Sequence, residues 1–279
     1  MAITSSTQAA EAEDKNARLE YIKIIKKAQT SSPFEKSVFE QVKNEISNSS
    51  QVYEVLDPDL FIPKWKVLSE KVGIGKCHGV VETSPEELLA WLWHNESNQS
   101  KASHVKQNGS DSSKFPNKVV CRINDHSNIN YSCRKLGAPL AARDWLTRGI
   151  WRKIDSDSYM LIFKSIADDD PDVPQSFQKT SLENVVRGEL TAIYKFRRLP
   201  YDQTNFTMTA KADVKGSLPT KLANRAISKV LNTVLRACEY FNKPGRIDQV
   251  RKGPQFLNFP PNSKHLLTSL GVFFTRRRS

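Results

Sequence analysis

The sequence of 279 residues has no uninterrupted apolar run approaching the length of a membrane span, so a transmembrane helix is not expected. Its four cysteines, Cys77, Cys121, Cys133 and Cys238, are scattered without CxxC spacing. That favours free thiols in a reducing compartment over disulfides or a zinc site. The five histidines, His78, His94, His104, His126 and His265, show no metal-ligand spacing, and no metal is expected. GxSxG, a Walker loop and GxGxxG are all missing, and Gly73-Ile74-Gly75 lacks the rest of a dinucleotide fingerprint. No cofactor is expected, and the chain reads as non-enzymatic. Met1–Asp14 has neither the basic nor the apolar segment of a secretory signal, and its acidic residues do not suit a transit peptide. The expectation is a cytoplasmic protein with peripheral membrane contact.

Apolar content is low for one compact body, at 38%, so unpacked ends are expected: a disordered N-terminus at 1–15 and a basic tail at 246–279. The net charge is +12, and the tail supplies half of it, since seven Lys and Arg there (Arg246, Arg251, Lys252, Lys264, Arg276, Arg277 and Arg278) face only Asp248. A basic balance suits anionic membranes or nucleic acid. No RNP-like run or finger spacing accompanies the charge, so nucleic acid is not expected. Phe273 and Phe274 beside Arg276, Arg277 and Arg278 combine apolar insertion with attraction to anionic lipid, worth about 1 kcal/mol per basic residue near such a surface. The plainer alternative is an unstructured tail.

Between these ends the periodicity is that of an α+β chain. Leu19, Ile22 and Ile25 suggest a short basic helix. Ser32, Pro33 and Glu35 form a capping box ahead of Phe34, Val38, Phe39, Val42 and Ile46. Strand patterns follow at 51–56, 64–71 and 75–83. A second capping box, Ser84-Pro85-Glu86-Glu87, opens a short apolar helix through Trp93. Residues 94–117, rich in Ser, Asn and Lys, read as a mobile loop. Strands are then expected at 118–124, 128–135, 143–154, 159–166 and 183–197. Phe206–Asp213 alternates as a half-buried strand. Pro219 opens a long helix on which Leu222, Ile227, Val230, Leu231, Val234, Leu235, Cys238 and Phe241 recur at three- and four-residue steps. Lys221, Arg225, Lys229, Arg236 and Lys243 are assigned to the opposite side.

Four segments resemble START domains, the lipid-binding modules of the helix-grip (Bet v 1-like) superfamily. They are Asp213–Pro219 with Leu222 and Asn224; Gly79–Trp93; Ala142–Arg148 with Trp151; and Val186–Leu190 running on through Arg197–Pro200. They occur in the family's order and span roughly residues 20–243. The resemblance implies a helix-grip fold over 16–245, a curved antiparallel sheet wrapped around a long C-terminal helix with an internal cavity. It also implies one bound hydrophobic ligand, a membrane lipid transferred or sensed between membranes, with the last helix as gate. Each methylene exposed to water costs about 0.8 kcal/mol, so a roughly 16-carbon chain costs over ~10 kcal/mol to desorb, and a dry sleeve lowers that cost. The ligand-facing set is Arg143, Trp145, Trp151, Leu222, Ile227, Val230, Leu231 and Val234, against the alternative of a solid core around the same residues. Arg143 is read either as an ion pair with Asp144 that fixes the strand or as a head-group contact.

Sterol-carrying members turn an Arg of this strand to the cavity and match it with an acidic residue one strand earlier. Here Arg148 precedes Gly149, and Ser127–Arg134 contains no carboxylate. An offset of one residue turns a strand side chain to the opposite face, so a phospholipid or other acyl lipid is favoured over a sterol. Relatives of the fold include cyclases and hydrolases; the alternative is a small-molecule enzyme using the same cavity.

Overall fold

Successive side chains of a strand point to opposite faces, and here that parity decides which residues meet the last helix and which meet the outer layer. The computed structural model describes residues 2–27, 30–47, 54–55, 64–67, 72–94, 97–109, 116–135, 141–177, 185–216 and 220–242. In chain order the elements are α1 (Ala2–Lys26), α2 (Pro33–Ser47), β1 (Glu54–Val55), β2 (Lys64–Val67), β3 (Gly73–Val81), α3 (Pro85–Trp93), α4 (Asn98–Asn108), β4 (Asn117–Asn124), β5 (Ser127–Arg134), β6 (Ala142–Lys153), β7 (Ser158–Ser165), β8 (Val185–Arg187), β9 (Glu189–Leu199), β10 (Gln203–Asp213) and α5 (Thr220–Phe241). The strands form one sheet in the order β1-β2-β3-β10-β9-β7-β6-β5-β4, with β8 paired to β6. Among the described residues every pairing is antiparallel except β6 with β8. This is the α+β helix-grip architecture expected from the sequence. Residues 1–242 form one unit and 243–279 a second. The second unit, with Phe273, Phe274, Arg276, Arg277 and Arg278, lies outside the described residues.

The inner face carries the main core. Cys77 and Val81 of β3, Trp151 of β6, Leu161 of β7, Phe196 of β9, and Phe206 and Met208 of β10 cluster with Ile227, Leu231 and Val234 of α5. On the outer face α2 lays Phe39 and Val42 over Ile150, Ile162 and Ile193. A third cluster on that side joins Ile129, Tyr131, Cys133 and Leu146 to Val173, from the stretch between β7 and β8.

Two expectations are overturned. The start is not disordered, because α1 runs from Ala2 to Lys26. Its Ala, Glu and Lys are strong helix formers, and Ile25, with Tyr21, Ile22 and Ile24 beside it, packs into the main core. Nor is 94–117 a mobile loop throughout, since Asn98–Asn108 is helical. The Ser97 hydroxyl accepts from Ser100 N–H at 3.1 Å at its start. At its end the buried Asn108 accepts from the Lys135 N–H at 3.1 Å.

The capping box of α2 is reciprocal: Ser32 N–H donates to Glu35 Oε2 at 2.8 Å, and Glu35 N–H to Ser32 Oγ at 3.1 Å. The same carboxylate accepts from Asn124 Nδ2 at 2.8 Å and lies 3.0 Å from His126 Nε2. It therefore ties the outer helix to the β4–β5 hairpin. Burial pushes the Glu35 carboxyl up, but the hydrogen bonds from Asn124, Ser32 and His126 together outweigh it and hold the group below its ordinary value of 4.5. A depressed folded-state value gives stability that is present above pH 4.5 and lost as pH falls through the folded value. Glu35→Gln should therefore cost about 1 kcal/mol in urea denaturation at pH 7, with the gap from wild type closing on the acid side of pH 4.5. A gap that stays constant across that range would show that the carboxylate charge contributes nothing.

Candidate functional site

The site is the space between the inner face of the sheet and α5. One side of it is apolar. Ile227, Leu231 and Val234 are fully buried against the sheet, and Val230 packs at the margin of the same cluster. Leu222 lies on α5 within the helical span, but its side chain is outside the described residues. Trp151 is anchored in the wall, its indole N–H donating to Asp125 O at 3.3 Å and its ring edge-on to His126. Trp145, on the same face of β6, sits over Gly188; a Cβ on that glycine would lie 2.7 Å from Trp145 Nε1.

Arg143 does not pair with its neighbour Asp144. Parity puts the two on opposite faces, and Asp144 instead takes a two-pronged ion pair from Arg187, at 3.0 Å on each oxygen. The Arg143 guanidinium is committed to main-chain carbonyls: Nε to Val214 O at 2.5 Å, Nη1 to Ala141 O at 2.7 Å and Nη2 to Lys215 O at 3.2 Å. It clamps the connection between β10 and α5. Within that connection Lys215 and Gly216 take left-handed φ of 51° and 80°, and the Lys215 N–H is held by Asp213 Oδ1 at 2.8 Å. Arg143 thus fixes the backbone that leaves β10 at Val214 and Lys215.

Arg148 lies on the outer face, as its parity predicts. It pairs with Asp170 at 3.0 Å and Asp172 at 2.8 Å and lies over the Phe34 ring.

The other side of the space is polar. Asn128 and Asn130 of β5 are buried on the inner face, Asn130 Nδ2 donating to Asn128 Oδ1 at 2.7 Å. Further along β5 is Arg134, and across from it Tyr194 of β9, with Thr233 and Arg236 of α5. Arg236 Nη2 donates to Thr233 Oγ1 at 3.2 Å. The charge of Arg236 acts on both Arg134 and Tyr194, so the helix side and the sheet side meet here. Arg134 and Arg236 are deeply enclosed by protein, yet both keep surface that a water molecule can reach. Burial lowers both guanidinium values and pushes the Tyr194 hydroxyl up to about 12. These residues were not legible as a site. Arg236 falls on the basic side of a simple helical wheel, and β5 was notable only for lacking a carboxylate. Among the described residues no cluster of His, Cys, Asp and Glu could hold a metal.

A START domain family model matches residues 76–242, more than half of the chain. The chain belongs to the START-domain family. Domains of this family bind lipids and other hydrophobic ligands and transfer them, and are in general transfer modules rather than enzymes. Solved structures agree at the level of fold. The human StAR-related lipid transfer protein 5 superposes with a TM-score of 0.54 at 13% identity, over 75% of this chain and 98% of that one. Human STARD10 gives 0.52 at 18%, over 80% and 85%. The human StarD13 (DLC2) lipid transfer and protein localization domain gives 0.52 at 14%, over 77% and 100%. A search of curated protein sequences returned no match. In this START domain no described helix is long and apolar enough to cross a membrane.

Proposed function

We propose that this START domain carries one acyl lipid between membranes, or senses it, in the space between α5 and the inner face of the sheet. The observation that supports this most is the two-sided character of that region. An apolar core of Leu231, Val234, Phe206 and Met208 beneath α5 adjoins a polar side at Asn130, Arg134 and Arg236. A guest with a greasy tail and a polar end matches both sides, and a purely apolar one does not. A sterol is disfavoured because Arg148 is held on the outer face by Asp170 and Asp172. The root of α5, clamped by Arg143, is the element that would lift to admit the guest. The protein would work in the cytoplasm. Its tail residues Phe273, Phe274, Arg276, Arg277 and Arg278 would touch anionic membrane surfaces.

The test is direct. Purified protein should release a lipid on denaturing extraction and should accelerate transfer of labelled phospholipid between vesicles. No co-purified lipid together with no uptake from any vesicle would end the carrier reading. Deleting residues 246–279 should weaken binding to anionic vesicles while leaving the fold intact; unchanged binding would remove the tail from the mechanism.

A further inference from the structure

Arg134 presents a difficulty that the fold itself does not solve. Buried charges are paired or hydrogen-bonded, because an uncompensated ion costs several kcal/mol even after the protein relaxes. Arg134 Nε is sealed from solvent, and no acceptor lies against it. Among the described residues no carboxylate acts on it. The charge that does act is another cation, Arg236. Ser127–Arg134 has no acidic residue, and Asp144 lies on the other face, bound to Arg187. Glu239 acts on Arg236 but is exposed. Tyr194 stays a neutral hydroxyl at physiological pH, since its value is pushed up to about 12, so it offers a donor rather than a negative charge.

Two neutral atoms on the same face of β5 and β6 are also unsatisfied. Asn130 Oδ1 and Trp145 Nε1 are buried without partners. Both belong to the inner face, where Asn130 pairs with Thr147 and Trp145 with Ser132 in the β5–β6 ladder. Ordered water would satisfy Asn130 and Trp145. Water would not neutralise the Arg134 guanidinium, whose Nε has no acceptor. An oxyanion does, and the planar fork of arginine fits phosphate or carboxylate oxygens two at a time.

We propose that Arg134 of β5 and Arg236 of α5 form an anion site at the polar end of the cavity, and that it selects lipids whose head carries a phosphate or carboxylate charge. This rests on the lipid-carrier reading above and adds the sign of the head group's charge. It also assigns recognition to Arg134 and Arg236 rather than to Arg143, whose guanidinium serves the backbone. Because one arginine comes from the sheet and the other from α5, an anion between them would hold the helix down once loaded.

The full chain is incubated with phosphatidylcholine vesicles containing equal amounts of phosphatidate and of the diacylglycerol with the same acyl chains. It is then re-isolated, and bound lipid is measured by mass spectrometry. Wild type should take up phosphatidate in preference to diacylglycerol by about tenfold or more. Arg134→Gln and Arg236→Gln should each erase most of that preference. Removing an unneutralised buried cation should also raise the Tm of the lipid-free protein in Arg134→Gln, a sign opposite to that of a structural arginine. Equal uptake of the two lipids by wild type, or an unaltered preference in both variants, overturns the anion site while the carrier reading stands. A lower Tm in Arg134→Gln with the preference intact overturns it as well. Inorganic phosphate alone is the second arm. If it raises Tm as much as phosphatidate does, the site serves a free anion and the lipid assignment falls. Absence of uptake of every lipid by wild type removes the carrier reading and this one with it.

Discussion

Arg187→Met should destabilise the protein by about 3–5 kcal/mol, because it leaves the Asp144 carboxylate buried without its cation. Asp144 is 0% exposed and Arg187 only 21%, with Nε–Oδ1 and Nη2–Oδ2 distances of 3.0 Å. The Tyr131 hydroxyl donates to the same carboxylate, and Arg187 also reaches Asp168. The geometry explains why so much rests on one pair. β8 has only three residues and, among the described residues, is the sole parallel partner in the sheet, set against Ala142, Arg143 and Asp144. Two short parallel segments gain little from the ladder alone. The Asp144–Arg187 pair fastens β8 to β6, and the Gly188 N–H adds a bond to Asp144 O at 2.9 Å. Val173, from the described part of the stretch between β7 and β8, closes the third cluster. Urea denaturation of Arg187→Met, Asp144→Leu and the double variant separates the terms. The double variant should recover most of the loss, since removing both partners leaves no stranded charge. Additive single effects, with no recovery, would show that the two side chains act independently.

The same pair marks where the sequence could and could not be read. Arg143 and Asp144 are adjacent, and adjacency invites pairing. Strand parity forbids it, and that much was available in the sequence. Which cation Asp144 would meet was not, because Arg187 arrives through a non-local parallel pairing that no local pattern announces. The antiparallel strands from β4 to β10 and the apolar face of α5 were legible because alternation and helical period speak directly for burial. Gly188 divides the expected strand at 183–197 into β8 and β9, which change partners there: β8 joins β6, and β9 joins β7 and β10. The helix α4 could not be read, since Asn and Ser are poor helix formers and it is fixed by its Ser97 cap and by Asn108 reaching the end of β5. Arg134 and Arg236 were hidden for a further reason. Residue type argues for the surface; strand parity turns Arg134 to the inner face, and only the packing of α5 over the sheet encloses the two arginines.

Arg143→Met should loosen α5 without unfolding the domain. The native guanidinium donates to four carbonyls of two segments, Val214 and Lys215 just after β10 and Ala141 and Ala142 at the entry to β6. Hydrogen bonds from a charged donor contribute about 1.5–3 kcal/mol each, partly offset here by the cost of burying the cation. A net loss of about 2–3 kcal/mol in the local opening free energy corresponds to a roughly 30- to 150-fold rise in the open population. Hydrogen exchange should report it as faster exchange of the Val214–Gly216 and α5 amides, with β9 and β10 unchanged. Lipid release from loaded protein should speed up by a similar factor, while equilibrium affinity changes little, because a gate that opens more easily admits the guest faster as well. A head-group contact would behave in the opposite way. Losing it would weaken affinity and leave α5 protection where it was. Protection and release rate that both match wild type would mean that contacts along α5, rather than the Arg143 clamp, set its opening; the apolar face of Leu231 and Val234 would then be the place to weaken it.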